Sequence, residues 1–385
     1  MSVSFIITSY NIEKYITKCL DSVAACTRAG DEIIIVDDGS TDDTANKVRA
    51  FAEGAGLPLD VALRPVFLGA NTFGGVGIAA NIGMDHASKD IVFFVDGDDW
   101  LNPETFNPCR DVFKARGGDF MLVNYREFDE RANKYKTPAD QARWANVQKG
   151  LDKQARLELA LSFIAVPWRK FYRRQFLQES RLRFPEGDFF FEDNPFHWAV
   201  CRAAQDFSFY DQVICYHRIN RPGQTMGSTG MELLAFFTHY ESIRDAIAAT
   251  EDQLHLAAMR WLINNMSWHL GRLHPNVQRP WGQRAMACLQ DFPEDLWQED
   301  IAPEYLGTAI GDVCEQLRGR DLQGFLSSQQ IGRLGQQINS LGQRVNGLHT
   351  DLRKLQREVQ NTKQFAQSTK NIQEYTALLA LHKKP

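Results

Sequence analysis

Three aspartates stand within four residues at Asp96-Gly97-Asp98-Asp99, directly after an apolar run at residues 91–95. Carboxylates one residue apart at the end of a strand can share a hard divalent cation, and the glycine lets the backbone turn tightly around it. Such a cation keeps part of its water shell and suits a nucleoside diphosphate, whose oxygens complete the coordination. The alternative is an ordinary acidic turn or a helix N-cap, but this density of aspartates favours a metal site.

A second acidic cluster, Asp37-Asp38-Gly39-Ser40-Thr41-Asp42, follows the apolar run at residues 33–36. The simplest interpretation is a turn in which Ser40 or Thr41 caps a helix that begins near Asp43. A binding role is compatible with that turn, because Asp38 can face a ligand while a neighbour caps the helix.

A third pair of acids, Glu192-Asp193, lies among aromatic residues that include Phe190, Phe191 and Phe196. Apolar surroundings raise the pKa of a carboxyl group toward the range in which it can accept a proton at neutral pH. The alternative is a pair of acids that compensates the dipole at a helix N-terminus.

His217 follows a predicted strand at residues 213–216 and precedes Arg218. A histidine beside a carboxylate cluster can complete a metal shell, although a lone histidine is more often structural. A basic cluster at Arg169, Lys170, Arg173 and Arg174 can neutralise phosphate or form a solvated surface.

The elements that must position these residues form a repeating strand–helix pattern up to about residue 101. Apolar runs at residues 3–8, 33–36 and 91–95, with a weaker run at 61–63, alternate with helical patterns such as Ile16, Leu20 and Val23. Runs that are apolar on both faces and separated by helices predict an α/β fold with a parallel sheet. Because ligands bind at the carboxyl ends of such strands, we expect Ser9-Tyr10-Asn11 and the first two acidic clusters at one rim.

Beyond residue 102 the pattern is mixed, and from residue 231 to about 314 it is helical, with Trp261, Trp268, Trp281 and Trp297 as expected packing anchors. The last part carries a heptad seam, defined as Ile331, Leu334, Ile338, Leu341, Val345, Leu348, Leu352, Leu355 and Val359. Its alternating spacing of three and four predicts a coiled coil, with a parallel dimer favoured and a trimer possible. The alternative is an amphipathic helix folded back on the body, and glycines at 332, 335, 342 and 347 weaken the helix by about 1 kcal/mol each.

Composition narrows the class of protein. The chain has 385 residues, 44% hydrophobic and 24% charged, with a net charge of −5, which excludes a fibrous protein and gives no general attraction to nucleic acid. Seven scattered cysteines without a CxxC pair fit reduced thiols, and the amino terminus has no signal-peptide pattern. We therefore expect a cytoplasmic protein. A short apolar patch before His382-Lys383-Lys384 makes peripheral contact with the inner membrane possible.

Taken together, the motifs resemble those of the inverting family 2 glycosyltransferases with the GT-A fold, over about residues 3 to 225. The matching motifs, in the family's order, are Thr8-Ser9-Tyr10-Asn11, Asp37-Asp38-Gly39-Ser40-Thr41-Asp42, Ala79-Ala80-Asn81-Ile82-Gly83, Asp96-Gly97-Asp98-Asp99-Trp100, Lys170-Phe171-Tyr172-Arg173-Arg174, Phe184-Pro185-Glu186-Gly187 and Glu192-Asp193. Each motif alone is weak, whereas their order is specific.

The resemblance implies a fold and a domain plan. The fold is an α/β GT-A domain, a Rossmann-like nucleotide-binding mixed sheet flanked by helices. Residues 1–105 would bind the nucleotide-sugar and residues 106–228 the acceptor. A helical region at 229–321, a coiled coil at 322–362 and a tail at 363–385 would follow.

The resemblance also implies the roles of individual residues. Asp193 would be the catalytic base and Glu192 a second catalytic residue, and Asp98, Asp96 and His217 would bind Mn²⁺ or Mg²⁺. The expected donor-binding residues are Thr8, Tyr10, Asp38, Asn81, Asp96, Lys170 and Arg218. Relatives often have an arginine where this chain has Ala80, which leaves the identity of the donor open.

The implied function is metal-dependent transfer of a hexosyl or N-acetylhexosaminyl group from a nucleotide-sugar, with UDP as the expected nucleotide. The acceptor would be a hydroxyl of a surface glycan, such as a capsular polysaccharide, or of a lipid-linked molecule, and the coiled coil would join copies of the chain. One alternative is a nucleotidyltransferase, but this sequence lacks the basic Gly-rich signature that such enzymes usually have near the first strand. The other alternative is a non-catalytic glycan-binding scaffold organised by its coiled coil.

Overall fold

The computed structural model describes residues 1–54, 56–58, 60–148, 150–187, 190–224 and 227–381. The protein divides into two units, Met1–Arg320 and Asp321–Pro385. The segments predicted at 1–105 and 106–228, together with nearly all of 229–321, therefore lie in one unit.

The first half of the sheet is built from alternating strands and helices. The strands are β1 (Val3–Ser9), β2 (Glu32–Asp37), β3 (Ala62–Phe67) and β4 (Ile91–Asp96), and the helices are α1 (Ile16–Cys26), α2 (Thr44–Gly54) and α3 (Gly77–His86). β1 pairs in parallel with β2 and β4, and β3 pairs in parallel with β2. β1 and β2 are buried along their whole length, which is why both faces of each strand are apolar.

The second half of the sheet mixes strand directions. Its strands are β5 (Trp100–Leu101), β6 (Phe120–Asp129), β7 (Lys134–Lys136), β8 (Lys170–Arg173) and β9 (Phe207–Ile219), and its helices are α4 (Pro103–Arg116), α5 (Lys153–Ser162), α6 (Arg174–Glu179) and α7 (Asp193–Ala203). Within the described residues, one sheet of nine strands has the order β3-β2-β1-β4-β8-β6-β9-β5, with β7 paired to β6. β8 is antiparallel to β4 and β6, whereas β6 and β9 are parallel. The predicted mixed sheet flanked by helices is confirmed.

Aromatic rings fill the layer between the sheet and α4. Phe106 of α4 lies 5.2 Å from Phe5 of β1 and 4.9 Å from Phe93 of β4, measured between ring centroids. Phe171 of β8 lies 4.9 Å from Phe93 and 5.1 Å from Phe106. This close packing holds β1, β4 and β8 side by side, and it thereby fixes the residues that follow β1 and β4.

The remainder of the first unit is helical, as predicted. Its helices are α8 (Ala235–Asp245), α9 (Asp252–Leu270), α10 (Gln278–Gln290), α11 (Glu294–Leu296), α12 (Ala302–Tyr305) and α13 (Ala309–Arg318). Trp281 and Trp297 are buried packing anchors. The Trp281 Nε1–H donates to His269 Nδ1 at 2.8 Å, so the indole is hydrogen-bonded as well as buried.

The second unit contains a single helix, α14 (Leu322–Leu381), of 60 residues. The glycines at 332, 335, 342 and 347 lie inside this helix without interrupting it. The nine residues of the heptad seam are each between 50% and 69% exposed. Residues 382–385, which include His382-Lys383-Lys384, lie outside the described part of the chain.

In the part of the chain that the structure describes, every helix is too short or too polar to cross a bilayer. All seven cysteines lie in this part, and each is buried as a free thiol.

Candidate active site

Three parallel strands end side by side at one edge of the sheet. The strand register pairs Thr8 of β1 with Val36 of β2 and with Asp96 of β4. Ser9-Tyr10-Asn11 and the first two acidic clusters therefore leave the sheet at the same rim, as their positions after apolar runs predicted.

Asn11 and Asp37 shape the turn that follows β2. Oδ1 of Asn11 accepts the N–H of Thr41 at 2.8 Å, and the Asn11 backbone has a positive φ of 49°. Asp37 accepts hydrogen bonds from Ser9 Oγ at 3.1 Å and from the N–H of Ser40 at 3.0 Å. The sequence analysis expected both residues at this rim but gave neither a role of its own, although asparagine is among the few residue types that tolerate this backbone conformation.

Asp38, predicted to hold the nucleobase, is engaged by the segment between β3 and α3, which we call the 68–76 loop. Thr72 donates its N–H to Asp38 Oδ1 at 3.0 Å and its hydroxyl to Oδ2 at 2.9 Å. Next to Asp38, a Cβ added at Gly39 would lie 2.3 Å from the carbonyl carbon of Ala70, and Gly39 has a φ of +69°. The 68–76 loop therefore packs on the second acidic cluster, a contact that no sequence motif predicted.

Thr8 and Tyr10, also predicted to bind the nucleotide, lie beside this turn. Thr8 is buried at the end of β1, and its carbonyl accepts the N–H of Gly97 at 2.9 Å. Tyr10 is 42% exposed, so its ring offers an aromatic face on which a base can stack.

The first acidic cluster has the geometry of a cation site. One carboxylate oxygen from each of Asp96, Asp98 and Asp99 lies within 4.8 Å of the other two. Oxygens that share a divalent cation lie about 2.0–2.6 Å from it, so they can be up to about 5 Å apart, and the cluster fits this limit. Burial and then the charges of Asp99 and Asp98 raise the pKa of Asp96 well above its usual value. A bound cation would relieve this repulsion.

Gly97 makes the tight turn of this cluster possible. A Cβ at this position would lie 2.5 Å from Ile12 Cδ1 and 2.7 Å from the Thr8 carbonyl oxygen. The backbone can approach β1 this closely only because residue 97 has no side chain.

His217 is held against the cluster by Asp99. The two side chains share a hydrogen bond of 2.8 Å between His217 Nδ1 and Asp99 Oδ2, and the His217 ring stacks on Trp168 at 4.9 Å. Burial disfavours the imidazolium, but the charge of Asp99 and this hydrogen bond outweigh it and raise the pKa of His217 to about 9. Metal-binding histidines are commonly oriented by a carboxylate on the other ring nitrogen. Asp99 therefore has the position of a residue that orients His217, although the described group of possible cation ligands is Asp96, Asp98 and Asp99 without His217.

Two arginines lie beside Asp98. Arg218 donates its Nε–H to the Asp98 carbonyl at 3.0 Å and pairs with Glu130 through its guanidinium group. Arg221 forms an ion pair with the Asp98 carboxylate. Arg218 was predicted near the donor diphosphate, whereas Arg221 was missed because no motif marks it. Both place positive charge beside Asp98.

Asp193 is the first residue of α7 and is partly exposed. Burial of its carboxyl group and the charge of Glu192 raise the pKa of Asp193 to about 7, while Lys170 opposes the shift. The charge of Asp193 in turn contributes to the raised pKa of Asp96, so the two carboxyl groups belong to one electrostatic site. A carboxyl group with a pKa near 7 is suited to accept a proton at neutral pH.

Glu192, predicted as a second catalytic residue, is only 4% exposed. Its Oε1 accepts the N–H of Gly77, the first residue of α3, at 2.7 Å. The Glu192 carboxylate therefore contacts the helix that follows the 68–76 loop.

Asn81, predicted to bind the donor, joins α3 to the motif at residues 184–187. Its Nδ2 donates to the Phe184 carbonyl at 2.9 Å and to Glu186 Oε1 at 2.7 Å. Ala80, the position where the sequence resemblance led us to expect an arginine, is buried in α3.

Lys170, also predicted to bind the donor, is fully buried, and its Nζ donates to the Val166 carbonyl at 2.6 Å. Burial is the main reason that the pKa of Lys170 falls to about 7. The positive charge of Lys170 opposes the rise in the pKa of Asp193, so Lys170 acts electrostatically on the site from the protein interior.

Helices α8 and α9 pack behind the start of α7. Phe191 has a positive φ of 67°, and its ring stacks on Phe236 of α8 with 4.5 Å between centroids. Trp261 of α9 donates its Nε1–H to Asn194 Oδ1 at 3.2 Å. A left-handed backbone at a bulky residue persists only where packing holds it. The helical region therefore helps to fix the acidic pair that lies between Phe191 and Asn194.

Comparison with known proteins identifies the domain that carries the two aspartate clusters of the site. Residues 4–181 match the family model described as glycosyl transferase family 2. These residues form a family 2 glycosyltransferase domain. The uncharacterized glycosyltransferase EpsJ of Bacillus subtilis strain 168 is 28% identical over 218 residues, which cover 57% of this chain and 61% of EpsJ. Poly(ribitol-phosphate) beta-N-acetylglucosaminyltransferase TarS of Staphylococcus aureus is 28% identical over 233 residues, 59% of this chain and 37% of TarS.

Thus the match spans about three fifths of the length of EpsJ and less than half of TarS. Among solved structures, S. aureus TarS 1–349 in complex with UDP-GlcNAc has a TM-score of 0.68 at 22% identity, over 87% of this chain and 92% of that chain. The mannosyltransferase PcManGT from Pyrobaculum calidifontis, in complex with GDP-Man and Mn²⁺, has a TM-score of 0.52 at 19% identity, over 83% of this chain and 86% of that chain. These likenesses confirm the predicted GT-A fold.

Proposed function

We propose that this protein is a metal-dependent inverting glycosyltransferase that moves a sugar from a UDP-sugar to an acceptor hydroxyl. The observation that carries the proposal is the carboxyl group of Asp193 at the start of α7, whose pKa is raised to about 7 and whose charge reaches the aspartate cluster at Asp96. The proposed proton acceptor and the proposed cation site would thus interact electrostatically. The two solved structures, TarS in complex with UDP-GlcNAc and PcManGT in complex with GDP-Man, support a nucleotide-sugar as donor.

The nucleoside would bind where β1 and β2 end. The exposed Tyr10 ring would stack on the base. Asp38 would accept a hydrogen bond from the base, since each carboxylate oxygen has capacity beyond the bond it accepts from Thr72. Thr8 and Asp96, which are register partners on β1 and β4, would line the ribose side.

Asp96, Asp98 and His217 would hold Mn²⁺ or Mg²⁺, since carboxylate oxygens suit both ions. A cation bound there would offset the negative charge that develops on the leaving diphosphate. Arg218 and Arg221, which lie beside Asp98, would add positive charge on the same side.

The reaction would be a single displacement at the anomeric carbon. The acceptor oxygen forms the new bond to that carbon from the face opposite the diphosphate, while the bond to the diphosphate oxygen breaks, so the configuration inverts. The acceptor hydroxyl loses its proton as it attacks, and the Asp193 carboxylate takes it. Because the pKa of Asp193 is raised to about 7, its carboxylate is a stronger base than an ordinary aspartate.

The acceptor would be a hydroxyl on a surface glycan or a lipid-linked molecule. The name of TarS, a poly(ribitol-phosphate) transferase, supports a polymeric acceptor. A second copy of the chain would pair with the exposed heptad seam of α14, since β-branched residues at a and leucine at d favour a parallel dimer. Two active sites on one polymer would raise the effective concentration of acceptor ends.

A thermal-shift screen with UDP, GDP, CDP and dTDP, each with and without Mn²⁺ or Mg²⁺, tests the donor site. A ligand that binds only the native state raises the melting temperature by mass action. We expect UDP with Mn²⁺ to raise the melting temperature most. In Asp98→Asn, the additional rise that depends on the metal should be lost. If no nucleotide shifts the melting temperature under any metal condition, the donor site is wrong and a scaffold role comes first.

A further inference from the structure

The carboxylate of Glu192 lies against the start of α3. In addition to the 2.7 Å bond from the Gly77 N–H, the backbone of Gly75 approaches so closely that a Cβ added there would lie 2.4 Å from Oε1 and 2.6 Å from Oε2. Val76, the N-cap residue of α3, provides no side-chain cap of its own. Glu192 therefore satisfies a donor in the first turn of α3 and places negative charge at the positive end of that helix.

The 68–76 loop is thus held by a carboxylate at each side. Asp38 accepts both hydrogen bonds from Thr72, across 34 residues of sequence. Glu192 reaches Gly77 across 115 residues. One contact lies in the expected nucleoside site, and the other lies next to Asp193. The loop therefore connects the two halves of the site.

A second contact joins α3 to Phe184, in the chain that leads to Glu192 and Asp193. Asn81 Oδ1 accepts the N–H of Phe184 at 3.0 Å, and Asn81 Nδ2 donates back to the Phe184 carbonyl at 2.9 Å. One helical turn apart, Gly77 and Asn81 thus both bind the chain that leads to Asp193. A rigid helix with two such contacts can transmit the position of the 68–76 loop to α7.

We propose that Glu192 is a positioning residue that fixes the 68–76 loop and α3 against the start of α7. A donor bound under the loop would then lie at a set distance from the Asp193 carboxyl group. This role rests on the proposed function, and it replaces the expectation that Glu192 takes part in proton transfer. Glu192 is buried and its carboxylate is committed to the Gly77 N–H, whereas Asp193 is buried only in part as a residue.

Four variants separate positioning from proton transfer. Glu192→Gln keeps an acceptor oxygen for Gly77 but cannot act as a base, and Glu192→Ala removes the acceptor. Gly75→Ala leaves Glu192 in the sequence but displaces the carboxylate, because the flexible end of its side chain is what the new Cβ would meet. Gly56→Ala is the control, since its Cβ would meet nothing within 4 Å.

Hydrogen exchange by mass spectrometry tests the contact on the full chain without any ligand. We expect peptides covering residues 68–80 to exchange at least about tenfold faster in Glu192→Ala and Gly75→Ala than in the wild type. Glu192→Gln and Gly56→Ala should exchange like the wild type. Equal exchange in all four variants would overturn the proposal, and this result does not depend on whether the chain is a transferase.

Turnover of UDP-GlcNAc, chosen as the probe donor, tests the consequence. We expect Glu192→Ala and Gly75→Ala to raise the KM for the donor about tenfold to a hundredfold, and Glu192→Gln to recover most of that loss. Glu192→Gln should also keep the acidic limb of the pH profile. If Glu192→Gln removes that limb while Asp193→Asn keeps it, Glu192 is the base and the positioning role is refuted. If the wild type turns over no UDP-GlcNAc, the exchange experiment alone decides the role of Glu192.

Discussion

His217 and Asp99 are joined by a hydrogen bond of 2.8 Å between Nδ1 and Oδ2, at the edge of the aspartate cluster. Asp99 is itself fixed by the backbone N–H of Arg218, which donates to Oδ1 at 2.7 Å. The carboxylate therefore determines which ring nitrogen of His217 remains for a cation. Asp99, which was not among the expected metal ligands, thus fixes the orientation of His217, which was.

Asp99→Ala should weaken Mn²⁺ binding about tenfold to a hundredfold, because His217 loses the group that orients it. Calorimetric titration with Mn²⁺ in the presence of UDP measures the change. Asp21→Ala, at an exposed position of α1, removes one acid without touching the site and serves as the control. If both variants bind Mn²⁺ equally well, Asp99 does not orient a ligand.

Asp193→Asn should lower turnover about 10²- to 10⁴-fold while UDP and Mn²⁺ still bind, because only the proton acceptor is lost. For the wild type, kcat/KM should fall about tenfold per unit as the pH drops below the Asp193 pKa of about 7. The pH profile of initial rates measures this limb. A wild-type profile that stays flat down to pH 5 would assign the base to another group.

The same carboxyl group should affect stability in a defined pH range. The pKa of Asp193 is about 7 in the folded protein, above its ordinary value of 3.8, so the folded state binds this proton more tightly. The free energy of unfolding that Asp193 contributes therefore falls as the pH rises from about 4 to 7, and it is constant above that. Urea unfolding of wild type and Asp193→Asn at pH 5 and pH 8 should show the variant gaining stability relative to wild type at pH 8. An unchanged difference would contradict the raised pKa.

Lys170 should change the pH dependence of stability in the direction opposite to that of Asp193. Its pKa falls from 10.5 to about 7 in the folded protein, so the unfolded state holds more protons between those values, and stability rises with pH there. In Lys170→Met this rise should disappear. Relative to wild type, the variant should therefore lose a few kcal/mol of stability between pH 7 and 10, at about 1.4 kcal/mol per unit of pKa shift. Parallel stability curves for the two proteins over that range would mean that Lys170 is charged in the folded state.

The central strands of the sheet were predictable because strands that are buried on both faces have continuous apolar runs in the sequence. β1, β2 and β4 are apolar on both faces, and the predicted runs at residues 3–8, 33–36 and 91–95 match them to within a residue at each end. β9 was underestimated, since only residues 213–216 were predicted and the strand is Phe207–Ile219. Its two register shifts against β6 break the alternation of exposed and buried residues that marks a strand in sequence.

The site was predictable where residues follow a strand in sequence, and much less so where the chain returns from far away. The contact of Arg221 with Asp98 spans 123 residues, and that of Glu192 with Gly77 spans 115. Neither contact leaves a local pattern, because each depends on how two loops meet above the sheet. For Lys170 the sequence pattern was less informative than the fold. The run of basic residues suggested contact with the donor, but the Lys170 side chain is buried in the folded protein, and the sequence pattern does not show this burial.

The heptad seam provides the last prediction. Its nine apolar residues are at least half exposed along α14, a face that a second copy of the chain would bury. We expect sedimentation velocity at about 10 µM to give the mass of a dimer for the wild type. Leu341→Asp should shift the species to the monomer, because it places a charge at a d position of the seam. Gln343→Asp adds the same charge two residues away, outside the a and d positions, and should remain dimeric.

If wild type and both variants all sediment as monomers, the seam serves a partner other than this chain. If Leu341→Asp remains dimeric, copies associate through another surface.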